Sequence, residues 1–232
     1  EYQKAKEYYK KALAIAIEIG DKEGEVSNNG SLGNVFRSLS KYQKAKEYYE
    51  KALAIAREIG YRQEEGTEYM NLGTVFEYLG EYTKAKEYYE KALAIAKEID
   101  DKETEGTING NLGNVFYFFG EYTKAKEYYE EVLAIVGERK GEAYLNLGSV
   151  YFRLRENRKA KEYLDKAVGI SIASRDRRIE AKATARLAGV FASVNDNQKA
   201  KEHWEKAPTI SRECGHRDVE ASIYISLSNF YQ

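Results

Sequence analysis

The sequence predicts an all-α fold, a right-handed α–α superhelix (a solenoid) of about 12 antiparallel helices, on three observations. "KAKEYY" recurs at Lys4, Lys44, Lys84 and Lys124, with weaker copies "KAKEYL" at Lys159 and "KAKEHW" at Lys199. A second motif keeps step with it: "SLGNVF" from Ser31, "NLGTVF" from Asn71, "NLGNVF" from Asn111, "NLGSVY" from Asn146, "RLAGVF" from Arg186 and "SLSNFY" from Ser226. The spacing is 40 residues, with one step of 35. Proline occurs only at Pro208, so helix interiors are otherwise undisturbed.

In chain order the pattern opens with a second-type helix near 2–19 and then alternates. First-type helices are expected near 24–39, 63–79, 103–119, 141–154, 178–193 and 217–231. Second-type helices are expected near 42–59, 82–99, 122–138, 157–173 and 197–213. The helix at 63–79 shows why: Leu72, Val75, Phe76 and Leu79 fall on one stripe at helical spacing, and Gly80 can take the left-handed conformation that ends it. Its partner buries Ala85, Tyr88, Tyr89, Ala92, Leu93 and Ala96. Gly73 and Ala85 stand where the two helices cross, and their small size lets the backbones approach while Phe76 and Tyr89 fill the flanks. The domain organisation follows as a single array: a half-repeat at 1–20, repeats at about 21–60, 61–100, 101–140, 141–175 and 176–215, and a half-repeat at 216–232. The unit from Gly137 to Gly148 has lost five residues, which should change the twist there. Pro208 should kink its helix or end it early. A chain that begins without Met inside a helical pattern reads as a piece of a longer protein.

"NLGTVFEYLGEYTKAKEYYEKAL" resembles the tetratricopeptide repeat, whose Leu-Gly, aromatic, Gly-turn, Ala, aromatic, Ala pattern matches Leu72, Gly73, Phe76, Gly80, Ala85, Tyr89 and Ala92. The resemblance covers the whole chain. The 40-residue form, with "NLGN" in one helix and "ALAIAKEI" closing the other, resembles the Pins/LGN group of spindle-orientation adaptors and the long-repeat tetratricopeptide repeat protein 28. The near-identity of the repeats favours the second. The resemblance implies an adaptor without catalytic activity or cofactor, binding a peptide or partner helix on a concave face lined by first-type helices.

Lys+Arg number 37 and Asp+Glu 38, a balance that argues against a nucleic-acid ligand. The balance is uneven: residues 141–232 hold 16 basic and 12 acidic residues, leaving 21 basic and 26 acidic in 1–140. That asymmetry would draw an acidic ligand toward the C-terminal repeats. No run of 18 apolar residues exists to suggest a membrane partner. A single cysteine, Cys214, cannot form an internal disulfide, which fits a reducing, cytoplasmic location. With His216 nearby it makes no zinc set, and no further ligand completes one.

The candidate site residues lie on the first-type helices. Asn34, Asn71, Asn111, Asn114 and Asn146 recur there, and an amide both donates and accepts, so a ladder of them could hold the main chain of an extended peptide. The competing reading is an Asn that tolerates a wet helix surface. Ser27, Glu77 and Asn229 share that face. The carboxylate clamp of chaperone-binding tetratricopeptide domains is matched at four of five places by Asn114, Asn146, Lys182 and Arg186; Gly110 stands where the first clamp lysine belongs. These residues would meet an acidic segment through charge-assisted bonds. Among groove-side aromatics, Tyr78 and Tyr117 are the leading ligand contacts, with Tyr69, Phe118, Tyr144 and Phe152 as further candidates. The second tyrosine of each "EYY" should fill the core and the first should lie half exposed against the next repeat. Two alternatives stay open: a structural spacer segment, and end-to-end self-association through exposed Ile223, Ile225, Leu227 and Phe230.

Overall fold

In the computed structural model, residues 2–135, 140–213 and 215–230 are described, and they form helices joined by short turns. The helices are α1 (Tyr2–Ile19), α2 (Lys22–Ser38), α3 (Tyr42–Ile59), α4 (Arg62–Tyr78), α5 (Tyr82–Glu98) and α6 (Lys102–Phe118). They continue as α7 (Tyr122–Ile135), α8 (Lys140–Arg153), α9 (Asn157–Ser174), α10 (Arg177–Ser193), α11 (Asn197–Glu213) and α12 (Arg217–Phe230). No strand occurs among the described residues, so the all-α reading holds. Cys214 and the residues 136–139 fall outside the described set, as do the side chains of Asn229 and Phe230.

Three first-type helices, α2, α6 and α10, start one or two residues before the expected position, because aspartates cap them. Asp21 Oδ1 accepts from the Gly24 N–H at 2.9 Å, Asp101 Oδ1 from Thr104 at 3.0 Å and Asp176 Oδ1 from Ile179 at 3.0 Å. The caps lie outside the hydrophobic pattern, which is why periodicity alone places the starts late. The second-type helix α3 ends at Gly60, which takes φ +72° and lets the Tyr61 N–H reach back to the Ala56 carbonyl at 2.8 Å.

Pro208 does not end α11, which runs on to Glu213. The proline removes one ladder bond, to the Trp204 carbonyl. Its ring is buried in the register that Leu53 and Leu93 occupy in α3 and α5, and that packing holds the helix together.

The chain divides into two compact units, residues 1–115 and 116–232. In the first, α2 packs on α3, α3 on α4 and α4 on α5, around Phe36, Ala45, Tyr49, Leu72 and Val75. In the second, the same pairing joins α8 with α9, α9 with α10 and α10 with α11, around Tyr151, Leu164, Leu187, Phe191 and Trp204. First-type helices also touch one another, α2 with α4, α8 with α10 and α10 with α12. They therefore line a common face within each unit. The second tyrosines Tyr49, Tyr89 and Tyr129 are fully buried, as expected, but Tyr9 in α1 is exposed, since that helix has a partner on one side only. The first tyrosines are half-buried but stack inside their own pair, not on the next: Tyr48 on Phe36 at 5.2 Å and Tyr88 on Phe76 at 5.1 Å. Ring-on-ring packing with the motif phenylalanine is the closer apolar seat.

A buried glutamate locks the start of five first-type helices. Glu25, Glu65, Glu105, Glu180 and Glu220 are all buried, and each meets a cation three residues earlier: Lys22 at 3.0 Å, Arg62, Lys102 at 3.0 Å, Arg177 at 2.7 Å and Arg217 at 2.8 Å. Arg62 and Arg177 reach on to Glu98 and Glu213 in the following helix. A carboxylate taken out of water needs such partners. Glu180→Ala should therefore lower stability by about 1–2 kcal/mol in urea melts, because the arginine it leaves behind is still partly hydrated. Glu213→Ala, at the exposed end of the same network, should leave the midpoint unchanged.

Candidate functional site

The common face of the second unit opens into a cleft of about 760 Å³. Helix α8 contributes Asn146, Ser149, Phe152 and Arg153, and α10 contributes Lys182, Arg186 and Gly189. Leu164 and Trp204 form its floor from the second-type helices. Lys182, Arg186 and Gly189 are spaced four and three residues apart, so they line one stripe of α10.

The cleft is electrically unbalanced. Neither Lys182 nor Arg186 makes an ion pair with a described residue; Glu142, a carboxylate in the lining, meets Arg178 at 3.9 Å, leaving Arg153, Lys182 and Arg186 in excess. Burial, and then the positive charges of Arg178 and Arg186, hold the Lys182 ammonium below its usual range, against the pull of Glu142 and Asp218. The site is short of negative charge, and an anion entering it would be met by groups that already want one. Asn146 is half-buried on α8 with its amide uncommitted among the described residues.

The cleft gathers Asn146, Lys182 and Arg186, three of the four clamp-like residues; Asn114 belongs to the first unit. The remaining asparagines differ from one another in what they do. Asn34 accepts from the Tyr49 hydroxyl at 2.9 Å and from Arg37 at 3.2 Å. Asn71 is buried and donates to Glu68 Oε2 at 3.3 Å. Asn111 is half-buried and Asn114 exposed. Glu77, another residue of this face, accepts from the Tyr89 hydroxyl at 2.9 Å, and burial raises its carboxyl above the usual range. Burial likewise pushes the Tyr49 hydroxyl up to about 12.

The aromatic candidates also separate. Tyr78 is exposed but stacks on Tyr42 at 4.9 Å, at the junction of α3 and α4. Tyr117 accepts from Arg153 Nε at 3.0 Å and meets Tyr122 edge-on. Tyr69 and Tyr144 lean on Tyr88 and Tyr163 of the second-type helices, and Phe118 on Phe119. Phe152 alone among these lines the cleft. Sequence reasoning did not single out Arg153, Trp204, Gly189 or Glu68. The signal available was a break in the repeat: Trp204 stands where Tyr49 and Tyr89 do, Gly189 where Asn34 and Thr74 do, and Glu68 where Asn28 and Ile108 do.

Among the described residues no group of histidine, cysteine, aspartate and glutamate could hold a metal ion, and no helix is long and apolar enough to cross a membrane. His203 bonds through Nδ1 to the Lys199 carbonyl oxygen at 2.9 Å and packs on Phe191.

Three solved structures illustrate the likeness of the fold. BtubC (BKLC) from P. vanneervenii is 23% identical, with a TM-score of 0.80 and 92% of each chain covered. The apo form of RapI is 20% identical, with a TM-score of 0.80, covering 100% of this chain and 92% of that one. A Rap protein complexed with competence and sporulation factor is 17% identical, with a TM-score of 0.69, covering 97% and 68%. No curated protein matches the sequence. Models described as tetratricopeptide repeat match residues 1–58 and 66–138, 31–98, and 141–171. With that match over more than half its length, carried by the helix pairs described above, the chain belongs to the tetratricopeptide repeat family.

Proposed function

We propose that this chain is a protein-interaction scaffold whose second unit takes an acidic segment of a peptide or partner helix in the α8–α10–α12 cleft. The observation that carries this reading is the pair of cations, Lys182 and Arg186, left without ionic partners beside an uncommitted amide at Asn146. A ligand carboxylate would gain charge-assisted bonds from all three. Apolar floor residues would accept the neighbouring side chain of the ligand. The Rap relative complexed with a factor supports ligand binding on this fold. The first unit supports an asparagine ladder less well, since Asn34 and Asn71 already hold partners inside the protein.

A peptide array rich in Asp and Glu, probed with the wild type and with the double variant Lys182→Glu/Arg186→Glu, tests the proposal. The wild type should select acidic peptides, with affinity falling as salt rises. The double variant should bind them at least tenfold more weakly, since each reversal replaces attraction by repulsion. Equal binding by both proteins would sink the reading.

Self-association is the second reading, because Ile15, Ile17 and Ile19 of α1 and Ile225 of α12 are exposed at 57%, 58%, 69% and 65%; of the other residues expected to be exposed there, Ile223 is instead buried and Leu227 half-buried. Sedimentation separates the two: a chain that stays monomeric while binding the acidic peptide needs no self-association.

A further inference from the structure

The core tyrosines of the first unit are capped from the facing helix. Tyr49 donates to Asn34 Oδ1, and Tyr89 donates to Thr74 Oγ1 at 3.2 Å as well as to Glu77. Asn34 and Thr74 stand two places after the motif leucine, and in α10 that place is Gly189. The ring in the tyrosine register is Trp204. In the repeat register, then, a polar core ring corresponds to a capping position that carries no side chain.

Three features of this spot follow. Trp204 is 6% exposed, and its indole N–H has no acceptor among the described residues. A Cβ built on Gly189 would have only Phe152 Cζ, at 4.0 Å, as a neighbour, so the missing cap has left open space and not another group. Both residues line the cleft that holds Lys182 and Arg186, and Gly189 lies about 4.5 Å along the helix axis from Arg186. A buried donor without an acceptor is an unfavourable state that an incoming oxygen can relieve.

Resting on the acidic-ligand reading above, we infer that Trp204 and Gly189 form the specificity-determining end of the cleft. One oxygen of the ligand carboxylate accepts from the indole N–H in the space over Gly189, while the other faces Arg186 and Lys182. The indole nitrogen is closed to solvent in the free chain, so the ring turns slightly into the space over Gly189 as the contact forms. An acid is thereby favoured over a phosphate-free, neutral side chain of the same shape, and the small residue at 189 sets the room available.

Trp204 is the only tryptophan in the chain, so intrinsic fluorescence reads this place directly. The probes are tryptophan-free peptides chosen from the acidic array in two forms: acidic side chains with an amidated C-terminus, and a free C-terminus with no acidic side chain. The form that binds identifies the source of the carboxylate. Binding should shift the Trp204 emission of the wild type. Trp204→Phe, which keeps an aromatic ring of smaller size and removes the donor, should weaken binding about tenfold. Gly189→Asn, which restores the kind of cap seen at Asn34, should weaken it about tenfold or more and quench the emission shift, with the helical circular dichroism retained. Replacing the ligand's acidic residue by alanine should erase the difference between wild type and Trp204→Phe. The inference is overturned if Lys182→Glu/Arg186→Glu loses binding while Gly189→Asn binds as the wild type does and the emission stays fixed on binding. If the double variant binds normally, the acidic-ligand reading itself is what falls.

Discussion

Gly73→Leu should cost more than about 3 kcal/mol and strip the first unit of its cooperative melt. The glycine lies where α4 crosses α5. A Cβ there would sit 2.7 Å from both Cδ1 and Cε1 of Tyr89, closer than carbon atoms pack. The ring cannot swing aside, because it is fully buried and its hydroxyl is tied to Thr74 and Glu77. Leucine would add three more carbons behind that first clash, so the helices must part and the seam of Leu72, Val75 and Tyr89 must open to water. The matched control is Gly189→Ala in α10. It places a methyl in open space and replaces a mid-helix glycine, so it should raise stability by roughly 0.5–1 kcal/mol. Urea melts followed by circular dichroism measure both. A Gly73→Leu protein that melts within about 1 kcal/mol of the wild type would mean that the crossing is not where the two helices are held apart by size alone.

The contrast between these two glycines shows what a repeat sequence reveals and what it conceals. The fold was legible because the period, the Leu-Gly pair and the "KAKEYY" run each encode a contact made again in successive pairs, so one reading of Leu72, Gly73 and Tyr89 served for the array. The candidate site was legible where charge broke the pattern, at Lys182 and Arg186, and in the recurring amide at Asn146. Asn34 and Asn71 look alike in sequence and are on the same face, yet one caps a tyrosine of the partner helix and the other ties down a buried glutamate. Tyr49 lies on the facing helix, whereas Glu68 sits one turn back on α4 itself, at a place where other repeats carry Asn28 or Ile108, so neither pairing follows from the period. Pro208 misled for a related reason: local backbone cost argued for a break, and the apolar seat it fills outweighed that cost. Trp204 passes in sequence for one more core aromatic. Its meaning appears only when the residue opposite, Gly189, is known to leave it uncapped.

A pH-dependent stability centred on Glu68 follows from the same kind of opposition across the repeat. Glu68 is 2% exposed, and a Cβ on Gly30 of α2 would collide with its Oε1, so glycine at position 30 is what makes room for it. Its hydrogen bond comes from Asn71 at 3.3 Å. Burial pushes its carboxyl up to about 8; the charge of Glu64 raises it further, while the Asn71 bond and Arg37 oppose the rise. The unfolded chain holds the same group near 4.5. Between those two values the folded state binds a proton that the unfolded state has released, so the contribution of Glu68 is full below about pH 4.5 and is lost as the pH climbs through about 8. Glu68→Gln keeps the shape and the Asn71 contact without a charge to bury. The variant should match the wild type at pH 5 and exceed it by a few kcal/mol at pH 8.5, the gap widening by about 1 kcal/mol per pH unit in between. Urea melts of both proteins across that range test the assignment. Parallel stability curves from pH 5 to pH 8.5 would mean that Glu68 ionises in the folded chain as readily as in the unfolded one.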